Sequence, residues 1–163
     1  MGVWYELRRD KDIRFESGEC VTAQYSLNDN GTVKVDNTQF FGFYDGSSGN
    51  YENAVGGAQI NNWFSGLLYV YFFAQIGGGY KILDTDYTSY SVVYTCEDRL
   101  LAGLNFSDSS WVLVRSQIED GSAAYDSMMS TADAIYKEKT PEYDHENRMR
   151  TTQQGTGCEY FTS

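Results

Sequence analysis

The sequence predicts an all-β fold: an eight-stranded antiparallel up-and-down β-barrel with one C-terminal α-helix packed outside. Three observations predict it. Short runs rich in β-branched and aromatic residues recur along most of the chain, separated by Gly-, Asn- and Asp-rich turns. No helical pattern alternates with those runs, which argues against a parallel sheet. One convincing helix comes after the strands. About eight strands close into a barrel whose interior can hold one small ligand.

Gly2–Leu7 reads as the first strand, and Asp10–Gly18, charged and without period, as a loop. Cys20–Leu27 and Thr32–Phe41 read as strands around Asn28-Asp29-Asn30-Gly31, where Asn-Gly predicts a hairpin turn with both central residues at positive φ. Asp45–Gly49 is a further turn cluster. Glu52–Ile60 is a strand of small residues, a place where something bulky approaches. Leu67–Phe73 is an aromatic strand, and Gly77-Gly78-Gly79 turns the chain into the next one.

The stretch Tyr80–Cys96 (YKILDTDYTSYSVVYTC) reads as a hairpin. Tyr80–Leu83 and Tyr90–Thr95 flank Asp84, Thr85, Asp86, Thr88 and Ser89, whose side chains bond nearby backbone and favour turns. A loop runs to Asp108, and Trp111–Gln117 is a strand. Ser122–Lys139 is the helix. Tyr125, Met128, Met129, Ala132, Ile135 and Tyr136 form one apolar stripe, and Pro141 marks its end. Arg148–Gln154 is a short final strand.

A length of 163 residues suits a single domain spanning 1–163, and 41% apolar residues are enough for a core. The net charge of −11 excludes the basic footprint that nucleic acid requires, and it disfavours anionic membranes. No run of 18 apolar residues offers a transmembrane helix. Fourteen Tyr suit an amphipathic interior or binding surface.

Catalytic chemistry has little to stand on. The sole histidine, His145, lies in a charged segment with no sign of a triad partner for a cysteine. Three Cys and one His show no paired metal-ligand spacing. Asp84, Asp86, Glu97 and Asp98 sit in turns and at strand ends, where carboxylates mostly face water. No enzyme activity, catalytic residue, metal or required cofactor is expected.

Gly2-Val3-Trp4-Tyr5, Thr85-Asp86-Tyr87 with the following Tyr-x-x-x-Tyr-x-Cys, and Arg115 on its strand resemble, in order and separation, the three signatures of the lipocalins, especially the apolipoprotein D-like branch. Cys20–Asn37 and the tail Gln153–Tyr160 extend the resemblance over nearly the whole chain. The tail, QQGTGCEY, is similar to that of the crustacyanins, the carotenoid-binding lipocalins of crustaceans.

The resemblance implies that Arg115 lies across the face of Trp4 at the closed end of the barrel. It also implies a Cys20–Cys158 disulfide, with Cys96 outside it. The family's N-terminal segment, which carries a fourth Cys, is missing before Gly2. The cysteines favour a secreted protein whose signal has been removed. Asn30 and Asn105 match the glycosylation sequon, which matters only for a secreted chain.

Alignment with the family sets the strand parity. It turns inward Ala23 and Tyr25; Val33, Val35 and Asn37; Ala54, Gly56 and Ala58; Leu67, Tyr69 and Tyr71; Tyr80 and Ile82; Val93; Trp111 and Leu113. The candidate ligand set is Tyr25, Asn37, Ala54, Gly56, Tyr69, Tyr71, Tyr80, Ile82, Trp111 and Leu113, with Trp111 and Tyr25 in the upper half. A barrel packed with its own side chains is the plainer alternative. The mix of Tyr, Trp, Asn and small residues favours a cavity. The expected partner is a small hydrophobic molecule. A bound carotenoid comes first, a bilin next, and a fatty acid, steroid or retinoid third. A homo-oligomer, or pairing with a related lipocalin subunit, is compatible with this.

Overall fold

The computed structural model describes residues 1–13, 15–43, 48–60, 66–72, 77–96, 108–158 and 160. Their strands are β1 (Gly2–Asp10), β2 (Glu19–Leu27), β3 (Val33–Phe43), β4 (Ser48–Ile60), β5 (Leu67–Tyr71), β6 (Gly77–Thr85), β7 (Tyr90–Thr95), β8 (Ser109–Val114) and β9 (Met149–Thr151). The helices are α1 (Ala123–Lys139) and α2 (His145–Arg148). Residues 45–47 of the expected turn, Phe73, and 97–107 with Glu97, Asp98 and Asn105 lie outside the described residues.

Strands β1 to β8 pair antiparallel in sequence order, and β1 closes the barrel by pairing with both β2 and β8. The far end of β1 also pairs with β9, from Arg8↔Thr151 to Asp10↔Met149. Strand β1 carries a bulge: Glu6 pairs with Leu113, but Arg8, not Leu7, pairs with Val112. The extra residue puts Leu7 and Arg8 together on the outer face. Glu6 and Arg9, three apart, therefore both turn inward.

The outer face of β1, β7 and β8 meets the helix. Leu7, Val92, Val112 and Val114 pack with Ala132, Ile135 and Tyr136, and the rest of the predicted stripe lies against this cluster. Each such buried apolar side chain contributes about 1.5–3 kcal/mol. Ser122 caps α1 by accepting from the Tyr125 amide at 3.2 Å. Among the described residues no helix is long and apolar enough to cross a membrane.

At the closed end the Arg115 guanidinium carbon lies 3.6 Å from the Trp4 ring centroid, and Nη1 donates to the Val3 carbonyl at 2.9 Å. Strand β8 ends at Val114, not at the expected Gln117. Arg115 stands just past it, which frees its side chain to fold over the indole. Arg115→Ala is expected to lower stability by roughly 1–3 kcal/mol through lost packing and hydrogen bonding. Denaturant unfolding measures this, and a ligand affinity that stays constant separates the structural role from a binding one.

Several expectations are corrected. Gly77-Gly78-Gly79 is not a turn but the start of β6, paired with Tyr71, Val70 and Tyr69. A Cβ on Gly77 would come within 2.0 Å of the Val70 carbonyl, so the glycine serves close strand approach. The β2–β3 turn has only Gly31 at positive φ. The Gly31 amide donates to the Asn28 carbonyl and Asn28 N–H to Thr32, so a four-residue turn ending in glycine replaces the expected two-residue one. Asp10 belongs to β1, and α2, too short to show periodicity, was not expected.

Candidate functional site

A cavity of about 570 Å³ occupies the barrel interior. Tyr25, Asn37, Ala54, Tyr80, Trp111 and Leu113 line it. Val21, Ala23 and Val35 add apolar wall beside them.

Strand β5 faces the opposite way from the expectation. Buried Ala58 is paired with Val70, and residues directly opposite share a face. Val70 and, just past the strand, Phe72 therefore line the cavity, while Tyr69 and Tyr71 face out. The two tyrosine rings stack at 6.4 Å between centroids, and Tyr69 sits by a shallow outer hollow with Leu67. A slip of one residue inverts a whole strand, and a run as uniformly apolar as LLYVYF gives no alternation to fix it.

The small residues of β4 admit the protein's own aromatic rings. A Cβ on Gly56 would lie 2.2 Å from the Tyr71 carbonyl oxygen and 2.7 Å from the Phe72 ring, and one on Gly57 2.4 Å from the Tyr71 hydroxyl. Gly56 is therefore a seat for Phe72 rather than cavity wall. Ile82 pairs with Val93 and shares the inner face, but it is not part of the cavity wall. Tyr25 pairs with Gly2, next to the Trp4–Ala23 pair, so it belongs to the floor and not to the upper half. Its hydroxyl lies 3.2 Å from that of Tyr80.

Trp111 pairs with Arg9, towards the mouth. Its indole N–H donates to Glu16 Oε2 at 2.7 Å, and its ring centroid is 6.0 Å from that of Tyr80. Glu16 comes from the loop between β1 and β2 and is buried beside Glu6. Glu6 Oε1 accepts from Arg9 Nη1 at 2.5 Å and from the Thr152 hydroxyl. Arg9 Nη2 donates to the Gly18 carbonyl at 2.6 Å.

Burial, then the neighbouring Glu6 charge, pushes the Glu16 carboxyl up to about 8, against the hydrogen bond from Trp111. Burial also raises Glu6, opposed by Arg9 and Thr152. Glu6 has a cation beside it, whereas Glu16 has only a neutral donor and keeps its proton at pH 7. Glu6 Oε2 is buried and accepts no hydrogen bond from the described residues. Burial pushes the Tyr25 hydroxyl up to about 12 and Tyr80 well above its usual range, so both stay neutral hydrogen-bonding groups.

Glu6, Arg9 and Glu16 were missed by sequence reasoning. The parity of Trp4 points to Glu6, but the bulge that brings in Arg9 and the packing of Glu16 leave no periodic trace. The expected bond between Cys20 and Cys158 is present, with Cys96 outside it and exposed. Asn30 is exposed in its turn. His145 lies outside the barrel, stacked on Tyr136 at 4.9 Å. Among the described residues no group of three or more His, Cys, Asp or Glu is placed to hold a metal.

Residues 1–139 match the family model described as a lipocalin-like domain. The chain is 34% identical to apolipoprotein D of Cavia porcellus over 118 residues, which cover 72% of this chain but 59% of that protein. It is 32% identical to the Lazarillo protein of Schistocerca americana over 121 residues, covering 72% of this chain and 54% of that one. The fold superposes on lobster apocrustacyanin A1 with a TM-score of 0.71 and 25% identity, covering 96% of this chain and 78% of the other. Barrel, closed-end Trp4–Arg115 stack and family match agree: the chain belongs to the lipocalin family, on its apolipoprotein D-like branch.

Proposed function

We propose that this chain binds a small hydrophobic molecule inside the barrel and carries or stores it, as a binder and not an enzyme. The observation that carries this reading is the cavity of about 570 Å³, whose exposed wall is mostly apolar surface with carboxyl, amide and hydroxyl groups set among it. Burial of apolar ligand area, about 25 cal/mol per Å², supplies the driving force. A carotenoid is the leading ligand. The crustacyanin-like tail supports it, as does the tilted Tyr80–Trp111 pair, on which a flat conjugated chain can lie. A secreted protein fits the disulfide, which persists in oxidising compartments. Self-association, or pairing with a related subunit, is compatible with a carrier of pigment.

Titration with a carotenoid, a bilin and a fatty acid, followed by Trp fluorescence, tests this. Quenching by at least one ligand is expected. Trp111→Ala should weaken the tightest of the three by about 1–3 kcal/mol, near the burial energy of a large side chain. Unchanged affinity in the variant would remove Trp111 from the site.

A further inference from the structure

The described residues that line the cavity include three acids, Glu6, Glu16 and Glu52, and no Lys or Arg. The cations acting on the acid pair are engaged: Arg9 with Glu6 and the Gly18 carbonyl, Arg150 with Glu19. A ligand carboxylate would meet no counter-ion there, and an unpaired buried charge is costly. Besides these acids the wall offers uncharged hydrogen-bonding groups. Asn37 brings an uncharged side-chain amide to the wall. Of the paired Tyr25 and Tyr80 hydroxyls only one can donate to the other, which leaves one proton for an oxygen of the ligand.

We propose, building on the carrier function above, that the cavity selects an apolar ligand with an uncharged, hydroxyl-bearing end and rejects one that ends in a carboxylate. This ranks hydroxylated polyenes and sterols above fatty acids, and above bilins with their propionates. The acid pair also couples binding to a proton. Facing Glu16 are Glu6 and Arg9 of β1, Trp111 of β8, Tyr25 of β2 and Tyr80 of β6. Arg9, the cation among them, is spent on Glu6. An apolar ligand that covers Glu16 removes it further from water and favours its protonated form. Affinity for a neutral ligand therefore falls as pH rises through about 8.

Retinol and retinoate share one polyene and differ at the end group, so they isolate the effect. Each is titrated into the full chain at pH 7 and pH 9, with Trp fluorescence as the readout. Retinol should bind at least about tenfold more tightly than retinoate at pH 7. Its affinity should drop about tenfold between pH 7 and pH 9, and the ratio should be near one in Glu16→Gln, which has no proton to lose. Retinoate binding as tightly as retinol overturns the selectivity while leaving the carrier function intact. An equal pH drop in Glu16→Gln overturns the role of Glu16. If neither retinol, retinoate nor the carotenoid, bilin and fatty acid above binds, the carrier function itself falls.

Discussion

Replacing Cys20 and Cys158 together by serine is expected to lower stability by about 4 kcal/mol, the largest loss foreseen for any change in this chain. The bond joins residues 138 apart and ties the tail to the start of β2. Closing so long a loop restricts the unfolded chain far more than a short one. The attachment is backed by hydrogen bonds, since the Cys20 amide donates to the Gln153 carbonyl at 3.1 Å and the Gln153 amide to Glu19 Oε2 at 2.7 Å. Guanidinium unfolding of the double variant measures the loss. A change below about 1 kcal/mol would mean that the tail hydrogen bonds, not the cross-link, hold this end. A peptide map without reduction should recover Cys20 with Cys158 and Cys96 with neither.

Glu16→Gln is expected to act in the opposite direction and stabilise the protein by about 3 kcal/mol at pH 7. In the unfolded chain Glu16 titrates near 4.5, but folded it holds its proton up to about 8. Between those values folding must take up a proton, and each pH unit above 4.5 costs about 1.4 kcal/mol. This contribution is therefore most favourable below 4.5 and is lost progressively as pH rises to about 8. Glutamine keeps an oxygen for the Trp111 N–H and has no such penalty. Urea midpoints at pH 5 and pH 8 should diverge between wild type and variant as pH rises. Parallel pH slopes would show that Glu16 is ionised in the folded protein. An acid retained at this cost inside a cavity is what a binding site, rather than a packed core, accounts for.

The barrel was legible because its strands announce themselves by composition, and α1 because its stripe has the helical period. The Trp4–Arg115 stack and the disulfide were legible only through the family resemblance; nothing in spacing alone joins positions so far apart. Strand parity, set by the family resemblance, placed part of the cavity wall correctly on β2, β3, β4, β6 and β8. It failed on β5, where both faces are aromatic or aliphatic, and Tyr69 and Tyr71 were exchanged for Val70 and Phe72. Height failed at Tyr25, because register across β1 and β2 depends on where β1 begins its pairing, at Gly2. Of the acid pair only Glu6, which shares the parity of Trp4, was legible. Arg9 reaches it through one bulge residue, Leu7, and Glu16 is a loop carboxylate whose burial no local pattern encodes.

A carrier of this design holds one hydrophobic molecule in its cavity. A native mass spectrum of the protein isolated from its source tests it most directly, before and after organic extraction. The expected spectrum shows a mass excess of one small molecule per chain that extraction removes and that reappears, with its own mass, in the organic phase. A spectrum showing the same chain mass before and after extraction, with an organic phase free of stoichiometric ligand, would contradict it.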